Sequence, residues 1–486
     1  MAKILWLNWS GGGNLPPSLG VARVLAERGH ALTFAGRPEM VPRVKTAGFR
    51  AIEIGRAYEQ VDRYPQGHFM TRAACYLTSP AVEEEVRGIV AAEAPDVVLI
   101  DAMFPAALAQ AKHFAQPSAV FVHTFVFRQL DMWRKMIATL NGMRLQAGFP
   151  GLPSLDELWR LRQRIVSTSH ADFDAAPLPG WDLVRHTGPV LEDEKFAVPT
   201  VLPWSDDDRT PLVMVSFSTG FEQRNVDKLQ RALDALGELP VHVVATTGGI
   251  VAPNELAAPS NAVVLNYAAH DPILRRAALV MTHGGHGTAM RALRYGVPMV
   301  VIPGLAGDQP FVAAAVAEWG AGLALPGDAT IEAMRAAARE VLSSPRYREA
   351  ARDRGKTLAG LDGAARAADE VESLVDSTRQ PAGCEMTCRK MTCRNKARSP
   401  VSGSRNPLRR QSSNFRFAAL TTSPNLVMSD WMIFSNWSGV APPGLTAIAL
   451  SFADTPGSAT ACPNAFCSLA TAGAGVPVGA KTPLHK

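Results

Sequence analysis

An apolar run, Ala277 to Met281, breaks into Thr282-His283-Gly284-Gly285-His286-Gly287-Thr288, and a helical pattern begins immediately afterwards. A strand that feeds a glycine-rich turn at a helix N-terminus is the most constraining feature of this chain. Small residues such as Gly285 and Gly287 let backbone N–H groups approach an anion, and the helix dipole favours its charge. His283 and Thr288 add side-chain donors aimed at the same place. A second apolar run, Val297 to Ile302, leads into a loop ending in Asp308-Gln309. That pair is suited to hydrogen-bonding vicinal hydroxyls. An anion site beside a polyol site points to a nucleotide sugar.

The rest of the chain alternates strand and helix. Residues 3–8 read as a first strand, residues 18–28 as a helix with Gly29 at its C-cap, and Ala31 to Ala35 as the next strand. Asp96 to Ile100 and Ala119 to Phe125 follow. After a polar, proline-containing stretch the pattern restarts with strands at Leu212 to Phe217, Val241 to Ala245, Val263 to Asn266, Ala278 to Met281 and Met299 to Ile302. Helical segments lie at 226–236, 330–342 and 361–376. Such alternation argues for doubly wound parallel sheets. The expected layout is α/β: a first Rossmann-like domain over 1–190, a linker over 191–211, a second domain over 212–376, and a low-complexity tail over 377–486 read as disordered.

Composition supports that division. The overall charge of +5 misleads, because residues 377–486 hold 12 Lys/Arg against 3 Asp/Glu, a net +9 that leaves −4 for the body. No nucleic-acid footprint is expected of that body. Only Cys75 lies within it; Cys384, Cys388, Cys393, Cys462 and Cys467 fall in the tail, at spacings that do not make a zinc site. No apolar run is long enough to span a bilayer and the N-terminus lacks a cleavage signal, so a cytoplasmic location is expected.

The pattern H-G-G-x-G-T, then G-V-P, then D-Q resembles the donor-site signature of the family 1 nucleotide-sugar glycosyltransferases, the bacterial macrolide, aglycone and flavonoid type. The resemblance covers about residues 3–376. It implies the GT-B fold, with two Rossmann-like domains facing a cleft and residues 361–376 crossing back onto the first. It also implies an inverting, metal-independent transfer of a hexose or deoxyhexose from a UDP- or dTDP-sugar to a small hydrophobic acceptor. No cofactor or metal is expected beyond the nucleotide-sugar co-substrate.

By their places in the motif, His283, Gly285, Gly287 and Thr288 would hold the diphosphate together with Ser218 and Thr219. Tyr267 would stack on the base, and Asp308 and Gln309 would bind the sugar. Two positions depart from the family pattern. Arg291 stands where a ribose-binding Glu is common, and a guanidinium cannot accept a hydrogen bond. Asn14 stands in the slot of the catalytic His, and an amide is no general base near neutral pH. Asp101, which matches the family's partner Asp, and His123, at the end of the next strand, are the replacement candidates. A phenolic acceptor that needs little activation is another possibility. Two other readings follow from the departures: a non-catalytic, partner-activating homologue, or a nucleotide-sugar epimerase or hydrolase. An NAD enzyme is disfavoured, because the first loop lacks a final glycine and Arg37 follows the second strand.

Overall fold

The computed structural model describes residues 1–9, 13–68, 70–191, 202–205, 207–217, 225–304 and 307–379. The first sheet contains β1 (Lys3–Asn8), β2 (Ala31–Gly36), β3 (Arg50–Glu53), β4 (Val97–Asp101), β5 (Ser118–Val122), β6 (Arg164–Ser167) and β7 (Val184–His186). Every pairing is parallel, in the order β3-β2-β1-β4-β5-β6-β7. The second sheet contains β8 (Leu212–Ser216), β9 (His242–Thr246), β10 (Ala262–Leu265), β11 (Ala277–Thr282), β12 (Met299–Val301) and β13 (Gly322–Ala324). It is also parallel throughout, in the order β10-β9-β8-β11-β12-β13.

Burial explains which strands were legible. β4, β5 and β8 are buried at every position, as continuous apolar runs between two helical layers should be. The strands that hydrophobic pattern alone did not reveal, β3, β6, β7 and β13, are short, and β3, β7 and β13 sit at or beside a sheet edge with few fully buried residues. Helix Val226–Gly237 lays Leu229, Ala232, Leu233 and Leu236 against β8 and β9 and exposes its polar face. Asn225 caps it by accepting from the Lys228 backbone N–H at 2.8 Å.

Both sheets have one point where strand order reverses, between β1 and β4 and between β8 and β11. Connections leave in opposite directions there and open a crevice beyond the strand C-termini, where α/β proteins bind ligands. Asn14 and Asp101 flank the first such point. The glycine turn 283–285 flanks the second.

The closing helix, Gly363–Arg379, packs on helix Leu15–Glu27 of the first domain. Its Ala364, Ala367, Ala368, Val371, Leu374 and Val375 join the core beneath β1 and β4. Asp369 and Glu372 each meet Arg28 at 2.7 Å, Glu372 also meets His30 at 2.8 Å, and Glu370 meets Arg164 at 2.9 Å. Nearer the cleft, Arg128 pairs with Glu318 at 2.7 Å, and Phe173 packs on Trp319 with ring centroids 5.0 Å apart. No helix among the described residues is long and apolar enough to cross a membrane. The tail expected over 377–486 lies almost wholly outside the described residues.

Candidate functional site

The donor end is assembled by strand register. Thr282 pairs with Ser216 of β8 on one side and Val301 of β12 on the other, so three strand ends finish at one level. The chain then turns through Gly284 at φ +87, a conformation that favours glycine. A Cβ at Gly284 would stand 2.8 Å from Val301, and one at Gly285 would stand 2.8 Å from Nε2 of His283. Gly287 differs: it is exposed, and a Cβ there would meet nothing within 4 Å. Protein packing therefore accounts for Gly284 and Gly285 but leaves Gly287 unexplained.

Helix His286–Arg294 starts at Gly285, with no side-chain cap and no acidic residue in its first turn. Its first amides have no intrahelical acceptor. The His286 N–H goes to Asp308 Oδ2 at 3.3 Å, and Gly287, the next residue, is exposed. The positive end of the helix is thus presented to the cleft. Burial holds the His283 ring well below its usual pKa, to about 4, and a contact with the Ser216 backbone only partly opposes this. The ring is neutral at physiological pH, so it carries a single N–H and no positive charge.

Gln309 is tied into the loop that carries it, and Asp308 is tied to the helix start at His286. Gln309 is buried, and its Oε1 accepts from Gly304 N–H at 2.7 Å, closing the loop. Burial raises the Asp308 carboxyl above the usual carboxylate range, and Thr124 of the first domain lies beside it. Tyr267 is half-exposed, and its hydroxyl lies over Gly249, so one ring face is supported. Ser218 and Thr219 lie outside the described residues.

Lys228 is a site residue that sequence reasoning missed. Its Nζ donates to the carbonyls of Ile302 and Pro303, at 3.4 and 3.3 Å, which fastens helix Val226–Gly237 to the start of the 303–309 loop. Burial lowers its pKa to about 8, and its charge also disfavours protonation of His283. The available signal was a lysine on the apolar face of an amphipathic helix. Arg291 pairs with Asp271 at 2.6 Å and donates to the Leu191 carbonyl at 2.6 Å. Where a carboxylate would accept from hydroxyls, this guanidinium ties the second domain to the segment entering it.

The acceptor end lies at the C-terminal edge of the first sheet. Asp101 ends β4 and is about 1% exposed. Its Oδ2 accepts from Asn14 Nδ2 at 2.5 Å and its Oδ1 from Met103 N–H at 2.9 Å. Asn14 also donates to the Trp9 carbonyl. Desolvation pushes the Asp101 carboxyl up to about 7 against these hydrogen bonds. Asn14 and Asp101 thus form the pair that the resemblance would make His and Asp. His123 follows β5, next to β4 in the sheet. Its Nδ1 is buried without a partner, and burial lowers its pKa to about 4. His286 reaches across from the second domain, packs edge-on against Phe125 at 5.1 Å and lies near enough to His123 for their charges to repel. Its Nε2 is likewise buried and unpaired, and its pKa falls to about 3, chiefly through burial. Tyr64, Phe127, Trp133 and Met136 are buried in the core of the first domain, and Phe69 lies outside the described residues.

Comparisons with known proteins agree with this fold. The family profile described as "Erythromycin biosynthesis protein CIII-like, C-terminal domain" matches residues 230–360. Demethyllactenocin mycarosyltransferase of Streptomyces fradiae is 29% identical over 419 residues, covering 77% of this chain and 87% of that protein. NDP-glycosyltransferase YjiC of Bacillus subtilis (strain 168) is 24% identical, covering 76% and 96%. The crystal structure of CalG4, the calicheamicin glycosyltransferase, superposes with a TM-score of 0.62 at 22% identity, covering 77% of this chain and 98% of that one. Two parallel-sheet domains of this kind are the GT-B fold.

Proposed function

We propose that the chain is a family 1 glycosyltransferase that transfers a hexose or deoxyhexose from a UDP- or dTDP-sugar to a small hydrophobic acceptor, with inversion and without a metal. The observation that carries this reading is the uncapped helix start at Gly285, with neutral His283 beside it and Asp308 tied to its first amide. The acceptor oxygen attacks the anomeric carbon from the side opposite the diphosphate, and the bond from that carbon to the diphosphate oxygen breaks. Negative charge grows on the leaving group, where the amides of Gly287 and Thr288 and the His283 ring stabilise it in place. Asp308 and Gln309 orient the sugar hydroxyls, and Tyr267 supports the base. The relatives' names include a mycarosyl transfer and an NDP-sugar transfer, which favours a nucleotide-linked donor and leaves both nucleotides to be assayed.

Asp101 takes the acceptor proton, with Asn14 orienting the carboxylate. A base poised near 7 combines availability with driving force at neutral pH. His123 is the second reading, favoured by its unpaired Nδ1. The two differ in pH dependence: Asp101 as base makes kcat rise through about pH 7, whereas His123 is already neutral above about pH 4.

Incubation of the full chain with UDP- and dTDP-sugars and a panel of phenols, read by mass spectrometry, tests the proposal. A glycoside is expected. Donor binding without product would overturn transfer in favour of a partner role, and donor loss without glycoside would indicate hydrolysis or epimerisation.

A further inference from the structure

At the opposite end of the first sheet from the cleft, a cavity of about 470 Å³ opens between the segment before β5 and the segment before β6. Its lining includes Lys112, Phe114, Pro117, Ser118, Leu161 and Arg162. Arg162 is the unusual member. It is 6% exposed, yet it forms no ion pair among the described residues. Its one side-chain hydrogen bond runs from Nη1 to Ser118 Oγ at a long 3.4 Å, and its Nε is buried without a partner. Burial alone lowers its pKa, and no acid among the described residues offsets the charge.

A lysine here could shed its proton to escape that cost, but a guanidinium stays charged in proteins. An unpaired buried cation is strongly destabilising unless an anion meets it. The planar fork of Arg162 has free donors, Ser118 offers a hydroxyl, and exposed Lys112 adds a second positive charge at the rim. Phe114, Pro117 and Leu161 supply apolar wall on the remaining side, and Leu161 is 63% exposed.

We propose that this cavity is a second ligand site, separate from the cleft, that binds a small oxyanion, a phosphoryl or carboxylate group, between Arg162, Ser118 and Lys112. The site is independent of the donor reading, since it lies at the other end of the sheet. Its occupant is an anionic metabolite with an apolar portion seated on Leu161 and Phe114.

Titration of the full chain with inorganic phosphate, and separately with acetate, against chloride at matched ionic strength tests this. The donor site also attracts phosphate, so Arg162→Met and His283→Ala are titrated in parallel. Thermal protection by at least one of the two anions is expected, persisting in His283→Ala and weakened at least tenfold in apparent affinity in Arg162→Met. Protection by phosphate alone identifies a phosphoryl site; protection by acetate as well identifies a general oxyanion site. Without added anion, Arg162→Met should melt no lower than the parent, because it removes an uncompensated charge. If Arg162→Met does not fold, Lys112→Met at the exposed rim should weaken the same protection several-fold. Titrations identical in parent, Arg162→Met and Lys112→Met, or protection lost entirely in His283→Ala, would overturn the proposal.

Discussion

The two edges that face the cleft are built from different materials. On the proposed reading, the donor edge relies on backbone: amides at a helix start and a turn through Gly284, with a neutral His283, a Gln309 tied to its own loop and an Asp308 tied to the helix start. The acceptor edge relies on one buried carboxylate, held by Asn14 and the Met103 amide, with unpaired imidazoles beside it. Backbone donors serve any diphosphate, which suits a donor shared across a family. A carboxylate raised to about 7 is a specific chemical setting that one substitution can remove. On the proposed reading, shared recognition falls to the main chain and reaction chemistry to a few side chains.

The largest expected effect falls on the acceptor edge. Asp101→Asn should lower kcat about 10³-fold and abolish its rise through about pH 7, in a pH-rate profile at saturating donor. A flat parent profile near neutrality, with His123→Ala inactive, would transfer the role to His123. On the donor edge, His283→Ala should cost about 10²-fold in kcat, as loss of one preorganised donor to a growing negative charge does. Equal losses of KM and kcat effects in the two variants would erase the contrast between the edges.

Smaller effects fall on stability. Arg291→Ala removes the partner of Asp271 and of the Leu191 carbonyl, and should cost about 2 kcal/mol in denaturant unfolding. The pH dependence is subtler near neutrality. His123, His270 and His283, at about 4, and His286, at about 3, are held below the ordinary 6.5, so the unfolded chain binds more protons between about pH 6.5 and 4. Stability therefore falls as pH drops through that window. Asp101 acts in the opposite sense, since the folded chain keeps its proton up to about 7 while the unfolded chain releases it near 4. Three of the four imidazoles lie in the second domain. Hydrogen exchange at pH 4.5 should therefore show that domain opening first, and Asp101→Asn should make the acid loss of global stability steeper.

How much was legible in the sequence follows from the same contrast. The donor edge is written within one short stretch, 277–309, because a strand, its turn and the next helix are consecutive in the chain. What the stretch could not reveal is long-range: Lys228 meets carbonyls 74 and 75 residues away, and Arg291 meets one 100 residues away. On the acceptor edge, Asn14 and Asp101 are 87 residues apart, and only the parallel pairing of β1 with β4 brings them together. Their residue types were readable, but the burial that raises Asp101 was not, since it depends on the layers packed around both loops. Short strands such as β7 and β13 escaped because edge positions need no continuous apolar run.

Gly287 offers the most direct test of the claim that a backbone anion site lies at the heart of the donor edge. It is exposed in a first helical turn, and an added Cβ meets nothing, so Gly287→Ala should leave the melting temperature unchanged or raise it slightly. If a diphosphate must come against that amide, the same variant should bind UDP or dTDP about tenfold more weakly in calorimetric titration, an order-of-magnitude expectation for a crowded charged contact. Unchanged stability with weakened nucleotide binding is the predicted result. Unchanged stability with unchanged binding would contradict the account.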